Sequence, residues 1–346
     1  MPGCFGIART LGPSHSLRCV VFHDVSPSES SFTRGMGVCT TPSSFEAALR
    51  FLVKYYTPVG LQDVLAGADR YELPPRAVLV TFDDGYASVV RWAVPLCREF
   101  RVPAVFFLNA GFLDNRRLAP DNLVCYVFNA LGLEVINAAA RVVKSVDIPR
   151  LSCLTDVFSR LFPAISLVER RAFLEALADL GEIDETALAE KAGLYLTRKQ
   201  VRELGSWGFE LGNHTYTHVR CRSLDRSAFG QEIDRNKAEL EALAGQRVRS
   251  FSVPYGCSAD LTRDMIEHLE LSGHQAVFLS ESVANPPVLS PFHLDRVSVR
   301  ADADDAFFFE LEVLPRLRSI RNRFGPRTLR VRPLIDDCQT RNTEPN

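Results

Sequence analysis

VLVTFDDGY, residues 78–86, is an apolar run that leads directly into two adjacent carboxylates and a glycine. The uninterrupted apolar and β-branched residues predict a strand that is buried on both faces, as in a parallel sheet. Asp83 and Asp84 then stand at the carboxyl end of that strand, where binding residues of parallel sheets and barrels commonly lie. An Asp-Asp-Gly sequence is also a common turn, because Asp tolerates tight backbone geometry and Gly supplies positive φ.

Similar apolar runs recur along the chain, and helical patterns separate them. Strands are predicted at 17–25, 103–110, 209–215, 250–256 and 275–280, and helices around 43–56, 88–100, 227–244 and 260–271. Buried strands that alternate with helices are typical of a parallel sheet or barrel covered by helices. The expected fold class is therefore α/β.

Two segments depart from this alternation. Residues 113–195 contain no convincing strand, but helical spacing over 124–143 and 169–180 predicts a helical insertion, either a packing subdomain or a lid over the substrate. The end of the chain, 311–346, carries seven arginines between Arg316 and Arg332. They indicate either solvated surface charge or a patch that contacts a membrane or a lipid-linked substrate.

Composition limits the classes of partner and compartment. A formal net charge of -2 over 346 residues gives no general attraction to nucleic acid. Nine cysteines without a C-x-x-C pair favour free thiols in a reducing compartment. Because there is also no apolar run of signal-peptide or membrane-spanning length, we expect a cytoplasmic protein.

A second motif changes the reading of the acid pair. In LGNHTYTH, 211–218, His214 and His218 are four residues apart and fall on one side if the segment turns helically. Two imidazoles and one carboxylate are a sufficient set of ligands for a divalent metal with positions left open. A second, neighbouring carboxylate that is not a ligand is then available to take a proton from water.

Three motifs in order resemble a known family. TFDDG (81–85), HTYTH (214–218) and PYG (254–256) resemble the first three motifs of the NodB-homology polysaccharide deacetylases, carbohydrate esterase family 4. The resemblance implies a distorted (β/α) barrel of the NodB-homology type, formed here by 17–112 and 196–310 with the helical insertion 113–195 between them. It also implies hydrolysis of an acetyl group on a sugar with a divalent ion, usually zinc.

The resemblance assigns roles to individual residues. Asp83 corresponds to the general base, and Asp84, His214 and His218 correspond to the metal ligands. Tyr255 corresponds to the position whose backbone N–H helps to hold the oxyanion.

Two positions depart from the family pattern. Ser252 stands where the fullest third motif has an arginine that orients the catalytic aspartate. Arg296, in the stretch SPFHLDRVSV at 290–299, is the candidate to replace it, and the alternative is an arginine that only packs or pairs at the barrel rim. His293 is the tentative candidate for the acid that protonates the leaving amine.

The leading expectation is a metal-dependent deacetylase that acts in the cytoplasm on an acetylated saccharide, either a small or a lipid-linked precursor. The alternative is a catalytically silent relative that binds a saccharide or regulates its assembly, which the missing third-motif arginine motivates. The oligomeric state is left open.

Overall fold

The chain divides into two compact units. The computed structural model describes residues 16–70, 73–287, 289–299 and 303–324. Residues 16–27, 40–114 and 194–324, as far as they are described, form the barrel unit, and residues 28–39 and 115–193 form the helical unit. The sequence-based expectation had placed 28–39 with the barrel.

The strands of the described residues follow one another as β1 Arg18–Phe22, β2 Asp24–Val25, β3 Cys39–Thr40, β4 Thr57–Pro58, β5 Ala77–Phe82, β6 Ala104–Leu108, β7 Glu210–Asn213, β8 Ser250–Ser252, β9 Ala276–Leu279, β10 Leu294–Asp295 and β11 Val297–Ser298. A parallel sheet runs in the order β10-β9-β8-β7-β6-β5-β1-β11, and β4 pairs with β5.

The sheet closes into a barrel through one short segment. β10 and β11 stand at opposite ends of the strand order, although only Arg296 separates them along the chain. Leu294 pairs with Phe278 of β9, and Val297 pairs with Val20 of β1. The predicted (β/α) barrel is therefore confirmed as a nearly closed barrel of parallel strands.

Strands β1, β5, β6 and β9 form because nearly every residue in them is apolar and every one is buried. All residues of β1, β5, β6 and β9 are buried, as expected for strands covered by helices on one side and filled by side chains on the other. Phe82 and Phe106, on neighbouring strands, stack with ring centroids 4.7 Å apart. Burial of such large rings supplies much of the stability of the sheet.

The longer helices of the barrel unit are Pro42–Tyr55, Leu61–Arg70, Ser88–Trp92, Val94–Glu99, Arg198–Ser206, Arg226–Ala244, Arg263–Leu271, Asp304–Phe308 and Leu314–Phe324. The helix predicted over 88–100 is interrupted at Ala93. Pro95 lies at the start of its second part, where the missing N–H of proline is tolerated.

The carboxyl-terminal helix is tied to the barrel by a buried ion pair. Glu312 lies in a π-helical turn, Phe309–Val313, between the last two helices. Its carboxylate accepts hydrogen bonds from Arg18 Nη2 at 2.8 Å and from the Tyr56 hydroxyl at 2.7 Å. The expected boundary at residue 310 therefore falls inside a helical stretch that belongs to the barrel unit, while Arg327, Arg330 and Arg332 lie outside the described residues.

The helical unit contains the longer helices Pro120–Ala130, Leu133–Ala139, Leu167–Leu180 and Glu185–Ala192, and residues 115–193 contain no strand. The prediction of a single helix over 124–143 is wrong, because the helix is interrupted at Gly132, which has a φ of +93°. That conformation is accessible to glycine and costly for other residues. Within the described residues, no helix is both long and apolar enough to cross a bilayer.

The segment that closes the barrel, residues 294–298, contains a buried acid; we call it the closing segment. Asp295 is 1% exposed, and its carboxylate accepts hydrogen bonds from the backbone N–H groups of Glu281 at 3.3 Å and Val283 at 3.1 Å. Burial raises the pKa of Asp295 to about 7, because it outweighs the effect of these hydrogen bonds. Asp295 therefore ionises in the folded protein only when the pH approaches neutrality.

We predict that Asp295→Asn gains stability relative to the wild type as the pH rises. When burial raises the pKa of an acid in the folded state, the acid does not lower the free energy of unfolding at pH values below its unfolded pKa. Between the unfolded and the folded pKa, the free energy of unfolding falls as the pH rises. The difference in the free energy of unfolding should therefore shift in favour of the variant by roughly 4 kcal/mol at most between about pH 4 and pH 7. Urea unfolding at both pH values measures this shift, and Asp264→Asn, at an exposed carboxylate, is the control for the substitution itself.

Candidate metal centre

The predicted ligands meet at the carboxyl ends of the barrel strands. Asp84 follows β5, and His214 follows β7. The Nε2 atoms of His214 and His218 lie 3.3 Å and 3.4 Å from Asp84 Oδ1, and one ligand atom from each residue lies within 4.8 Å of the other two. The structure thus brings together the three side chains that the sequence assigned to one ion.

Two features of these side chains fit a divalent cation. Asp84 Oδ1 is buried and accepts no hydrogen bond from any part of the chain that the structure describes, although an orphaned carboxylate oxygen is costly. His214 Nδ1 lies 2.8 Å from the Ser252 carbonyl oxygen. Because a carbonyl only accepts, Nδ1 carries the proton and the lone pair of Nε2 is directed toward Asp84.

Asp83 is not part of this cluster of ligands but is held beside it by Arg296. The two carboxylate oxygens of Asp83 each accept a hydrogen bond of 2.7 Å, Oδ1 from Arg296 Nη1 and Oδ2 from Nη2. Asp83 Oδ2 also lies 3.8 Å from His214 Nε2. Burial acts to raise the pKa of Asp83, but the charge and the hydrogen bonds of Arg296 outweigh it, so the pKa is lowered and the carboxylate is ionised at neutral pH.

Arg296 is completely buried, and the chain satisfies the rest of its guanidinium. Its Nε donates to the Leu279 carbonyl at 3.0 Å, and its terminal nitrogens donate to the hydroxyls of Thr81, Ser252 and Ser280 at 3.2, 2.7 and 3.0 Å. Ser252 also donates to Asp83 Oδ2 at 3.2 Å. The small residue in the third motif thus contacts an arginine that comes from the closing segment, and the catalytic role of that arginine stays a prediction.

Tyr255 occupies a strained turn next to the ligands. Its φ is +62°, and its ring centroid lies 5.0 Å from that of His218. Gly256 follows with φ +68°, and a Cβ there would come within 2.4 Å of Ser280 Cβ, so the turn requires glycine. The oxyanion role of the Tyr255 backbone N–H stays a prediction.

The structure does not bring His293 to this site. His293 is exposed and precedes β10, and its backbone N–H donates to the Ser290 carbonyl. It precedes Arg296 by three residues, and three residues of extended chain span about 10 Å. The acid role expected for His293 therefore has no support from the geometry. His23 lies close enough to the site to interact with the charges of Asp84 and Asp83. Burial lowers the pKa of His23, and these two charges oppose that effect.

Three buried asparagines hold the loop that carries both histidines. Asn213 Oδ1 accepts hydrogen bonds from the Thr215 N–H at 3.1 Å and from Asn236 Nδ2 at 2.7 Å. Asn236 Nδ2 also donates to the Leu108 carbonyl at 2.8 Å, and Asn109 Nδ2 donates to the Thr215 carbonyl at 2.9 Å. This network fixes Thr215 at φ +63°, a conformation that costs free energy in a β-branched residue.

Glu232 holds the same loop from the helix Arg226–Ala244. Its two carboxylate oxygens accept hydrogen bonds of 2.8 Å each from the backbone N–H and the hydroxyl of Thr217. Thr217 immediately precedes His218, whose φ of +50° is also left-handed. Glu232 and Asn236 lie four residues apart on one face of the helix, so one helix supports both ends of the loop.

Sequence reasoning missed most of these supporting residues. Asn109 carried a usable signal, because it directly follows a buried strand, β6. Glu232 and Asn236 carried none, since polar residues four apart on a surface helix are ordinary. Ser280 was also missed as a partner of Arg296.

The sequence and the fold of this chain are similar to those of known proteins. The sequence profile of the family described as polysaccharide deacetylase matches residues 70–274, which is more than half of the chain. None of the curated proteins in the comparison matches.

Several solved structures share the fold at low sequence identity. The deacetylase PplD of Streptococcus pyogenes, in complex with acetate, superposes with a TM-score of 0.58 at 13% identity, covering 87% of this chain and 100% of that one. IcaB from Ammonifex degensii gives 0.55 at 21% identity, covering 86% and 98%. A de-N-acetylase from Aggregatibacter actinomycetemcomitans gives 0.54 at 15% identity, covering 83% and 96%.

We predict that Glu232→Gln weakens zinc binding by about tenfold or more, as loss of groups that orient ligands commonly does. Glutamine offers only one acceptor oxygen, so one of the two Thr217 donors loses its partner. Competition with a chromogenic chelator measures the affinity. Glu239→Gln, on the same helix but paired with Arg198, is the matched control, and equal losses in both variants would contradict a specific role for Glu232.

We further predict that His293→Gln leaves acetyl hydrolysis within about twofold of the wild type, because groups away from the reacting atoms rarely contribute more. The steady-state rate of acetate release on one substrate at several pH values is the measurement. A loss of two orders of magnitude or more, together with loss of one limb of the pH profile, would restore the acid role.

Proposed function

The chain belongs to the polysaccharide deacetylase family, and we propose that it is a metal-dependent hydrolase that removes the acetyl group from an N-acetylated sugar. One observation carries the proposal: Asp83, an ionised carboxylate, is held beside a set of three metal-ligand side chains without belonging to it. A site that only binds has no evident need for a fourth, separately oriented acid next to three ligands.

The residues fit a bound cation, and zinc is the metal that we propose. Held by Asp84, His214 and His218, it would supply Lewis acidity, which polarises the acetyl carbonyl and makes water a stronger acid. The carboxylate of Asp84 and two neutral imidazoles suit such an ion.

The residues of the chain supply the proton transfer and the orientation. Asp83 accepts the proton of the attacking water, and Arg296 binds both of its oxygens, so that the carboxylate cannot rotate away. In our proposal the backbone N–H of Tyr255 donates to the carbonyl oxygen as negative charge develops there. Cleavage of the amide C–N bond, with transfer of the proton held by Asp83 to the departing nitrogen, then gives acetate and leaves a free amine on the sugar.

The position of Arg296 weakens the case for a silent relative. That alternative was motivated by Ser252 at the site of the missing arginine, which would leave Asp83 without a cation to orient it. Arg296 provides two hydrogen bonds to Asp83 from the position between β10 and β11. The cytoplasmic location and the preference for a small or lipid-linked saccharide stay predictions from the sequence.

Acetate release from short N-acetylglucosamine oligomers, lipid-linked sugars and nucleotide sugars tests this function in the zinc-loaded protein. We predict that Asp83→Asn keeps its zinc but loses about 10²–10⁴-fold in kcat, the usual contribution of a general base. Asp84→Ala should lose zinc as well as activity.

Asp264→Asn, at an exposed carboxylate, is the control for these substitutions and should match the wild type. A wild type that holds zinc but releases no acetate from any of these substrates would favour the saccharide-binding alternative. Release from large polymers alone would overturn the choice of substrate while leaving the reaction class in place.

A further inference from the structure

The helix Leu314–Phe324 presents an apolar face that nothing in the described part of the chain covers. Its inner side packs on the barrel unit, where Arg318 is buried and the Ser319 hydroxyl accepts from the Ala284 N–H at 3.0 Å. On the outer side, Leu317 is 53% exposed and Ile320 is 56% exposed. Phe309, in the preceding π-helical turn, is 49% exposed. We call these three side chains the outer face.

Leu317 and Ile320 form a continuous apolar surface rather than isolated exposures. Residues three apart on a helix are neighbours, and Val313, four residues before Leu317, is only half-buried on the same side. Single exposed apolar residues are ordinary, but a stripe of them along one helix face indicates an interaction surface. The ion pair of Glu312 with Arg18 anchors the helix, so the stripe is presented on a fixed support.

Positive charge accompanies this stripe. Between residues 313 and 335 the sequence contains seven arginines and no acidic residue. Among those that the structure describes, Arg321 is exposed next to Ile320, and Arg316, on the other flank, has a third of its side chain exposed and pairs with Glu312. An apolar stripe flanked by arginines is the pattern of a helix that lies in the interface of an anionic membrane.

We propose that the outer face docks on the surface of a membrane that contains anionic phospholipid. Leu317, Ile320 and Phe309 enter the boundary between head groups and acyl chains, and Arg321 lies among the lipid phosphates. A second copy of the chain fits less well, because a two-fold contact through this face would bring Arg321 of each copy against the arginines of the other.

This docking does not depend on the acetyl-hydrolysing function. Arg18, which anchors the helix, is the first residue of β1, whereas the metal ligands follow the carboxyl ends of β5 and β7. Changes on the outer face should therefore leave hydrolysis of a soluble substrate unchanged, so binding and activity can be measured separately.

Co-sedimentation of the full chain with vesicles tests the proposal. Vesicles of phosphatidylcholine alone are compared with vesicles in which part of it is replaced by phosphatidylglycerol. We expect binding only to the second kind, and we expect it to weaken as sodium chloride is added. Leu317→Ser with Ile320→Ser should reduce the partition coefficient about tenfold or more, and Arg321→Glu about fivefold or more.

Leu271→Ser with Arg263→Glu is the control, because these side chains are even more exposed but lie on another helix, and it should bind as the wild type does. Binding that survives the Leu317 and Ile320 substitutions would overturn the proposal, as would an equal loss in the control or no binding by the wild type. Sedimentation equilibrium without lipid provides a further check. Self-association that these two substitutions abolish would identify a second copy as the occupant instead.

Discussion

The buried ion pair of Arg296 with Asp83 is the interaction on which both the barrel and its site depend. A guanidinium without solvent contact is stable only when it is paired and hydrogen-bonded, and removing one partner of a buried pair typically costs about 3–5 kcal/mol. Arg296 meets this requirement with Asp83, three hydroxyls and a backbone carbonyl. Because it stands between β10 and β11, the residue that orients the proposed base also lies where the barrel closes.

The site is built from backbone conformations that need support from elsewhere in the barrel. Asp84, Thr215, His218 and Tyr255 all have positive φ, which costs of order 1–3 kcal/mol for each such residue. The buried asparagines and Glu232 supply fixed hydrogen bonds to the histidine loop, while Gly256 admits the close approach of Ser280. The many hydrogen bonds beneath the ligands therefore stabilise the strained backbone conformations of the residues that form the site.

The two ends of the barrel unit differ in chemistry. At the carboxyl ends of the strands, buried charges and imidazoles converge on a small polar centre. At the amino end of β1, Arg18, Tyr56 and Glu312 fix a helix whose outward side is apolar and flanked by arginines. Separation of these features allows a surface contact and a hydrolytic reaction to use one barrel without competing for the same residues.

Much of this arrangement could be predicted from the sequence, because β1, β5, β6 and β9 are nearly continuous apolar runs and the acid pair follows such a run directly. The histidine pair was found from its local spacing, and the ligand set followed from the resemblance of three motifs to the polysaccharide deacetylases. The closing segment was not readable, since β10 and β11 are two residues each and show no periodicity. Only the tertiary structure decided that Arg296 reaches Asp83, because closure of the barrel joins residues distant in sequence. It alone also decided that His293 lies apart and that Glu232 and Asn236 support the histidine loop, because the packing of the helix Arg226–Ala244 against that loop has no local signal.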